Sequence, residues 1–187
     1  MILTTKIYEI MTTQRKVILY IAMSLDGYIA THDNGLEFLS LVEEEGQDYS
    51  YQDFVNSVDT VIVGRKSYEK VLSMGLDYPH TNKDLYIITR TPRPSVGSTK
   101  FYTGNLKELI QDLKNTKGKN IYVDGGAEVA NELLNDNLID EFYISIIPAL
   151  LGDGISLFKS HRPDLKLKLI SSKSFNKGLV QLHYIKE

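Results

Sequence analysis

In Ile121-Tyr122-Val123-Asp124-Gly125-Gly126 an aspartate stands between a β-prone triplet and two adjacent glycines, and Ala127-Glu128 then opens a run with helical spacing. Those residue types in that order suit an anion site. Glycines permit positive φ and leave no Cβ between backbone and ligand, and a helix start presents N–H groups without intrahelical acceptors. A phosphate or pyrophosphate fits such a turn; the competing reading is that Gly125 and Gly126 only turn the chain. Asp124 can accept hydrogen bonds from a polar substrate or cap the helix that follows. A second stretch has the same build: Thr60 to Val63 passes through Gly64 into Arg65-Lys66-Ser67-Tyr68-Glu69. Two cations and a hydroxyl therefore stand in a first helical turn, where acids are the ordinary preference. In a third stretch, Asp84 to Thr89 runs into Arg90-Thr91-Pro92-Arg93-Pro94. The prolines end the strand, and Thr89 with Arg90 could hold a further phosphate; solvated loop arginines are the alternative.

The elements that must position these groups follow from apolar patterning. Lys16 to Ala22 is a near-continuous apolar run suited to a central strand covered on both faces, and Met23-Ser24-Leu25-Asp26-Gly27 turns the chain, with Asp26 read as a turn residue. Tyr28 to Ala30 is briefly extended. Helices are predicted over Glu37 to Glu45 and about Tyr49 to Ser57, the second with Tyr51, Phe54, Val55 and Val58 on one face. Phe101-Tyr102 is a weak strand, Leu106 to Lys114 an amphipathic helix, and Glu128 to Asn135 the helix after the glycine turn. Beyond Glu141 to Pro148, another strand, and a turn-rich loop over Leu151 to Gly154, the pattern becomes antiparallel. Leu165 to Phe175 and Leu179 to Ile185 alternate, with Asn176-Lys177-Gly178 between them as a hairpin signal. This order predicts an α/β chain with a mixed, mostly parallel sheet and helices on its faces. In such sheets ligands bind beyond the carboxyl ends of the strands, so the three candidate elements could serve one extended ligand.

Composition narrows the partners. The chain has 187 residues, is 42% hydrophobic and carries a net charge of −3, which suits one soluble domain and argues against a nucleic-acid surface. It has no cysteine, and its histidines (His32, His80, His161, His183) are scattered, so no metal site is expected. No apolar run approaches the roughly 20 residues of a membrane span, and no signal-peptide pattern opens the chain. A cytoplasmic protein is expected, with residues 1–15 as a flexible extension and 16–187 as the domain. Neither GxGxxG nor GxxxxGKS occurs, which argues against an ordinary dinucleotide fold or a P-loop nucleotidase.

The succession YIAMSLDGYIA, VIVGRKSYE, YIITR, YVDGGAEVANELL and DEFYISIIPALLGDGISLF resembles, in the same order, the dihydrofolate-reductase-like superfamily, over about Val17 to Ile185. Within it the match is closer to the branch of the C-terminal reductase domain of riboflavin biosynthesis and its small stand-alone relatives. The resemblance implies a single-domain dihydrofolate-reductase-like fold, with antiparallel strands at the C-terminal end of the sheet, and NADPH as cofactor. It implies phosphate contacts from Gly64, Arg65, Lys66 and Ser67, and a pocket for the adenosine 2′-phosphate at Thr89 and Arg90. It places Gly125, Gly126, Ala127 and Glu128 at the pyrophosphate turn, and Ala22 and Ile29 beside the nicotinamide. Asp124 matches an acidic residue that faces substrate in the riboflavin-type reductases. On the substrate side stand Phe38, Tyr51, Phe54 and Ser145.

The acid of dihydrofolate reductase follows a Pro-Trp pair, and this chain has no Trp. Counting back from Gly64 lands on Asp48 and counting forward from the first strand on Glu43; Asp48 is kept as a second catalytic candidate. The expected activity is NADPH-dependent reduction of a small polar heterocyclic or carbonyl substrate, similar to 5-amino-6-(5-phosphoribosylamino)uracil reduction. Dihydrofolate reduction and a non-catalytic nucleotide-binding module are the alternatives. The attached deaminase domain of riboflavin biosynthesis, with its zinc motif, has no counterpart in the sequence. The apolar C-terminal strands make a homodimer plausible.

Overall fold

A computed structural model describes residues 14–187. Most of the expected flexible extension lies outside the described residues, but Arg15, its last position, belongs to the folded body. The described elements are β1 (Val17–Ser24), β2 (Tyr28–Ala30), α1 (Tyr51–Asn56), β3 (Val58–Gly64), α2 (Arg65–Ser73), β4 (Asp84–Ile88) and β5 (Thr99–Tyr102). They continue with α3 (Leu106–Lys114), β6 (Asn120–Gly125), α4 (Ala127–Asn135), β7 (Glu141–Ile147), β8 (Ile155–Ser156), β9 (Leu167–Ser174) and β10 (Val180–Lys186). None of the helices is long and apolar enough to cross a membrane.

An eight-stranded sheet runs in the order β5-β4-β3-β6-β1-β7-β10-β9. From β5 to β7 every pairing is parallel, and β10 and β9 close the sheet antiparallel. The mostly parallel α/β sheet with antiparallel C-terminal strands is the one the sequence order implies. Successive strand residues point to opposite faces, and this splits the core in two. On one face Val17, Leu19, Ile62, Ile121, Val123 and Phe142 are covered by α3 and α4. Leu106, Leu109, Ile110 and Leu113 of α3 recur at helical spacing on its buried side. Asn105 caps that helix by accepting from the Lys107 and Glu108 amides. On the other face Ile18, Val61, Val63, Leu85, Ile87 and Tyr122 pack with Phe54 of α1 and with Tyr78.

Several expectations are corrected. The helix expected over Glu37 to Glu45 is a single 3₁₀ segment, Glu37–Val42, which buries Phe38 and Val42. Beyond it come three consecutive acids and Gly46 at φ 77°, a conformation that does not continue a helix. Helix α1 begins at Tyr51 rather than Tyr49 because Tyr49 and Ser50 both have left-handed φ, 56° and 63°. Strand β9 is an edge strand exposed along most of its length, with Leu167, Leu169 and Ile170 open to solvent. The hairpin before β10 turns at Lys177 and Gly178, both with positive φ. The two-residue β8, which pairs with β2, had no sequence signal. Asp26 is the turn residue expected and also pins the distant loop after β7, accepting from the amides of Leu151 (3.2 Å) and Gly152 (2.7 Å).

At the opposite edge of the sheet the buried guanidinium of Arg15 ties several elements together. It donates to the carbonyls of Lys119 (2.6 Å) and Leu113 (3.2 Å) and to the hydroxyls of Thr116 (3.0 Å) and Thr60 (2.6 Å), and it pairs with Asp59. Its removal leaves buried acceptors without a donor, the costly direction of such a change. In Arg15→Ala the expected loss is about 2–4 kcal/mol, read as a lower urea midpoint at constant m-value. A loss below about 0.5 kcal/mol, the range of an ordinary surface change, would contradict this role.

Candidate active site at the carboxyl edge of the sheet

Parallel pairing sets Val63 beside Gly125 and Gly64 beside Ile88, so β3, β4 and β6 end on one line. Helices α2 and α4 start there, with Gly64 and Gly126 as their N-caps and no side chain capping either. The first-turn amides of both helices are thus left for another acceptor. Gly125 has φ 100°, and the Gly125–Gly126 peptide is cis. A Cβ on Gly126 would lie 2.7 Å from the Ser67 hydroxyl oxygen, and one on Gly64 would lie 3.6 Å from the Gly126 nitrogen. Side chains at these glycines would fill the gap between the two turns. Lys66 and Glu128, one from each helix start, approach at 3.5 Å.

Gly64, Arg65, Lys66, Ser67, Gly125, Gly126, Ala127 and Glu128 therefore gather at two abutting helix starts. The Arg65 guanidinium is held by Glu69, which also takes Arg93 at 2.9 Å. Thr89 is buried just past the end of β4, where its hydroxyl accepts from the Thr91 amide at 3.1 Å; Arg90 beside it is exposed. Thr89 thus shapes the turn, and Arg90 is the cation it presents. Ala22 lies near the end of β1 against the cluster of Phe38, Val42, Ile147 and Leu179, and Ile29 packs on the larger core. The β1 side chain nearest the glycine turn is Ile21, 3.3 Å from where a Gly125 Cβ would be.

Asp124 points to the face of α1, the same face as Tyr122 two residues earlier. Its Oδ1 accepts from the Tyr122 hydroxyl at 2.5 Å and its Oδ2 from the Tyr78 hydroxyl. Burial pushes the carboxyl pKa up, and the two hydroxyl donors pull it part of the way back. Burial and the nearby carboxylate push both tyrosines well above their ordinary range, so they stay protonated. The Tyr51 hydroxyl lies 2.9 Å from Nε2 of the buried His80. That imidazole sits among three tyrosine rings, with centroids 6.2 Å from Tyr51, 5.9 Å from Tyr78 and 5.6 Å from Tyr122. Burial and Lys83 push its pKa down to about 4, which keeps it neutral.

Phe54 stacks on Tyr20 at 4.4 Å and meets Tyr122 edge-on at 4.9 Å, so it forms the wall behind this cluster. Ser145 is buried on the same face and accepts from Gln181 at 3.3 Å, and Gln181 also donates to the Tyr20 hydroxyl at 2.8 Å. Phe38 is a core residue of the cluster that Ala22 packs against. Asp48 is exposed just before α1 and accepts from the amides of Ser50 (3.1 Å) and Gln52 (3.2 Å). It braces the turn that leads into α1, while Asp124 lies buried among the tyrosines. Tyr78 and His80 escape a sequence reading because they lie in an aperiodic loop. Tyr122 carries a readable signal, since strand alternation puts it on the face of Asp124. Among the described residues no group of His, Asp and Glu could hold a metal ion.

The family described as the RibD C-terminal domain matches residues 15–181. The uncharacterized protein YwjB of Bacillus subtilis (strain 168) is 41% identical over 174 residues, covering 92% of this chain and 99% of its own. Among solved structures, a putative riboflavin biosynthesis protein from Shewanella sp. PV-4 superposes with a TM-score of 0.83 at 29% identity, covering 92% of this chain and 99% of that one. A diaminohydroxyphosphoribosylaminopyrimidine deaminase/5-amino-6-(5-phosphoribosylamino)uracil reductase from Thermotoga maritima shares the fold, with a TM-score of 0.69 at 16% identity, over 93% of this chain and 57% of its own.

His80 gives the cluster a measurable pH dependence. Its folded pKa of about 4 lies below the ordinary 6.5, so the unfolded chain accepts a proton that the folded state resists. Its stabilising contribution is complete above pH 6.5 and is lost as pH falls to about 4. Asp124 runs the other way, its burial penalty being relieved on acidification. In His80→Gln, the stability lost between those two pH values should be smaller than in the parent by about 3 kcal/mol, measured by denaturant unfolding across that range. Identical pH profiles for parent and variant would mean that His80 is not held neutral.

Proposed function

The chain belongs to the RibD C-terminal domain family, and from that premise we propose that it is an NADPH-dependent reductase of a small, polar heterocyclic or carbonyl compound. The observation that carries the reading is the pair of uncapped helix starts meeting at a glycine turn, with a buried carboxylate one residue before it. The gap that a Gly126 Cβ would fill fits a phosphate-bearing group, and the donor set is amides, a hydroxyl and a lysine. The main chain of Gly64, Gly125, Gly126, Ala127 and Glu128, with Ser67 and Lys66, would hold the pyrophosphate. Arg90, at the turn shaped by Thr89, would pair with the 2′-phosphate. Arg65, held by Glu69, would add positive potential rather than a direct contact. Ala22 and Ile29 would border the nicotinamide. Bound NADPH supplies the hydride; everything else falls to the protein's own side chains.

In this reading the polar group nearest the reacting end is Asp124. As a carboxylate it accepts a substrate N–H or O–H; as the acid, which its burial favours, it gives a proton to the atom beside the one being reduced. Tyr20, Tyr51, Phe54 and Tyr122 provide an aromatic wall suited to a flat heterocycle, in keeping with the pyrimidine named for the Thermotoga relative. Strand β9, with its exposed apolar residues at the sheet edge, suits pairing with a second copy of the chain.

At 100 times its Kd, NADPH should stabilise the protein by about 2.7 kcal/mol, seen as a higher Tm, with a much smaller rise for NADH at the same concentration. In Gly126→Ala the NADPH-dependent rise should vanish. Equal shifts from both nucleotides would remove Arg90 from the proposed pocket. With an aminopyrimidine substrate, Asp124→Ala should slow NADPH oxidation by about 100-fold or more and keep the NADPH shift; loss of both together would make Asp124 a structural residue.

A further inference from the structure

Among the described residues no cation pairs with Asp124; its surroundings supply burial and two hydroxyl bonds. A buried carboxylate is ordinarily paired with a cation or bound to a metal, and here two phenols stand in that place. Tyr122 reaches Oδ1 at 2.5 Å from two residues earlier on β6, and Tyr78 reaches Oδ2 from the loop between α2 and β4. We propose that Tyr78 and Tyr122 are positioning residues that hold Asp124 ionised at neutral pH, so that in turnover it accepts a hydrogen bond from the substrate and is not the acid. The statement about turnover rests on the reductase reading; the charge state does not.

The two contacts each take one proton. With Asp124 ionised, the two phenol protons fill both contacts and nothing is left over. With Asp124 protonated, three O–H groups face the same two contacts, and one of them is left without an acceptor. Among the described residues neither phenol makes another hydrogen bond, and an O–H left unpaired in a buried place is the costly outcome. The phenols do not escape by ionising, because burial and the nearby carboxylate keep both protonated. Burial raises the carboxyl pKa and the two phenol bonds lower it; hydrogen bonds to an ionised group belong to the strong class.

Packing fixes the aim of both donors. Tyr78 and Tyr122 are only 3% and 2% exposed. Tyr122 is held edge-on by Phe54 and His80, and Tyr78 lies against Tyr68 of α2. The other titratable groups on this face have partners of their own: the Tyr51 hydroxyl of α1 bonds to His80, which burial and Lys83 keep neutral, and the Tyr20 hydroxyl of β1 accepts from Gln181. A carboxylate has about four acceptor sites, so one on each oxygen stays open to a substrate N–H or O–H.

The charge state can be read without cofactor or substrate. In protein labelled with ¹³C-aspartate, the Asp124 carboxyl signal, assigned by its loss in Asp124→Asn, should be that of a carboxylate at pH 7. In Tyr78→Phe its titration midpoint should rise by about 1–2 pH units. Tyr122→Phe should do the same, and it serves should the first variant fail to fold. A protonated Asp124 at pH 7 in the parent protein overturns the proposal, as does an unmoved midpoint in either folded variant. In NADPH oxidation, kcat/KM should fall on acidification through the Asp124 midpoint, and in Tyr78→Phe that limb should move up with the midpoint. A kcat/KM that falls instead as pH rises through the midpoint would make Asp124 the acid and overturn its role as acceptor. A protonated Asp124 would leave nucleotide binding untouched, and an absence of nucleotide binding would leave the ionised carboxylate standing.

Discussion

Strand β6 lies in the middle of the sheet, paired in parallel with β3 on one side and β1 on the other, with Val63 opposite Gly125 and Leu19 opposite Val123. Parallel strands need crossover connections, and each helix that follows a strand starts at the same edge of the sheet. Two helix starts that are far apart in sequence are thereby forced to abut, and their unpaired amides share one gap. Gly125 is needed there for its positive φ, and a Cβ on Gly126 would press on the Ser67 hydroxyl. Changing the register by one residue would move Asp124 to the α3 and α4 face and bring Val123 to the α1 face.

On that α1 face the site is a balance between burial and hydrogen bonding. A partly buried carboxylate is expensive unless its lone pairs are used, and Asp124 uses both oxygens on tyrosine hydroxyls. The tyrosines in turn are held by packing. Tyr122 is wedged edge-on to Phe54 and His80, and Tyr78 packs beside Tyr68 at 5.3 Å. Burial raises the carboxyl pKa against the pull of its two hydroxyl donors, and burial also keeps the imidazole neutral.

The strands, the amphipathic helix α3 and the C-terminal hairpin were legible in the sequence because each rests on local periodicity or on a residue that tolerates positive φ. The strand–glycine–helix turns at Gly64 and Gly126 were legible for the same reason, since each leaves a local mark. The start of α1 was not legible because left-handed Tyr49 and Ser50 leave no periodic trace. The partners of Asp124 were hidden for a related reason. Tyr78 reaches it from a loop 46 residues away in sequence, and nothing local to either end names the other. Arg15 was lost to the expected extension because a single arginine beside a polar stretch gives no sign of the carbonyls it will satisfy.

In the proposed reductase, NADPH would lie across the starts of α2 and α4, with its reacting end beside Asp124. The most direct test is a titration of ¹⁵N-labelled protein with NADPH, following backbone amide shifts residue by residue. The largest changes are expected at Gly64 to Ser67 and Gly125 to Glu128, with Arg90 moving for NADPH and far less for NADH. Changes centred instead on the opposite edge of the sheet, around Lys16 and Asn120, would contradict the account.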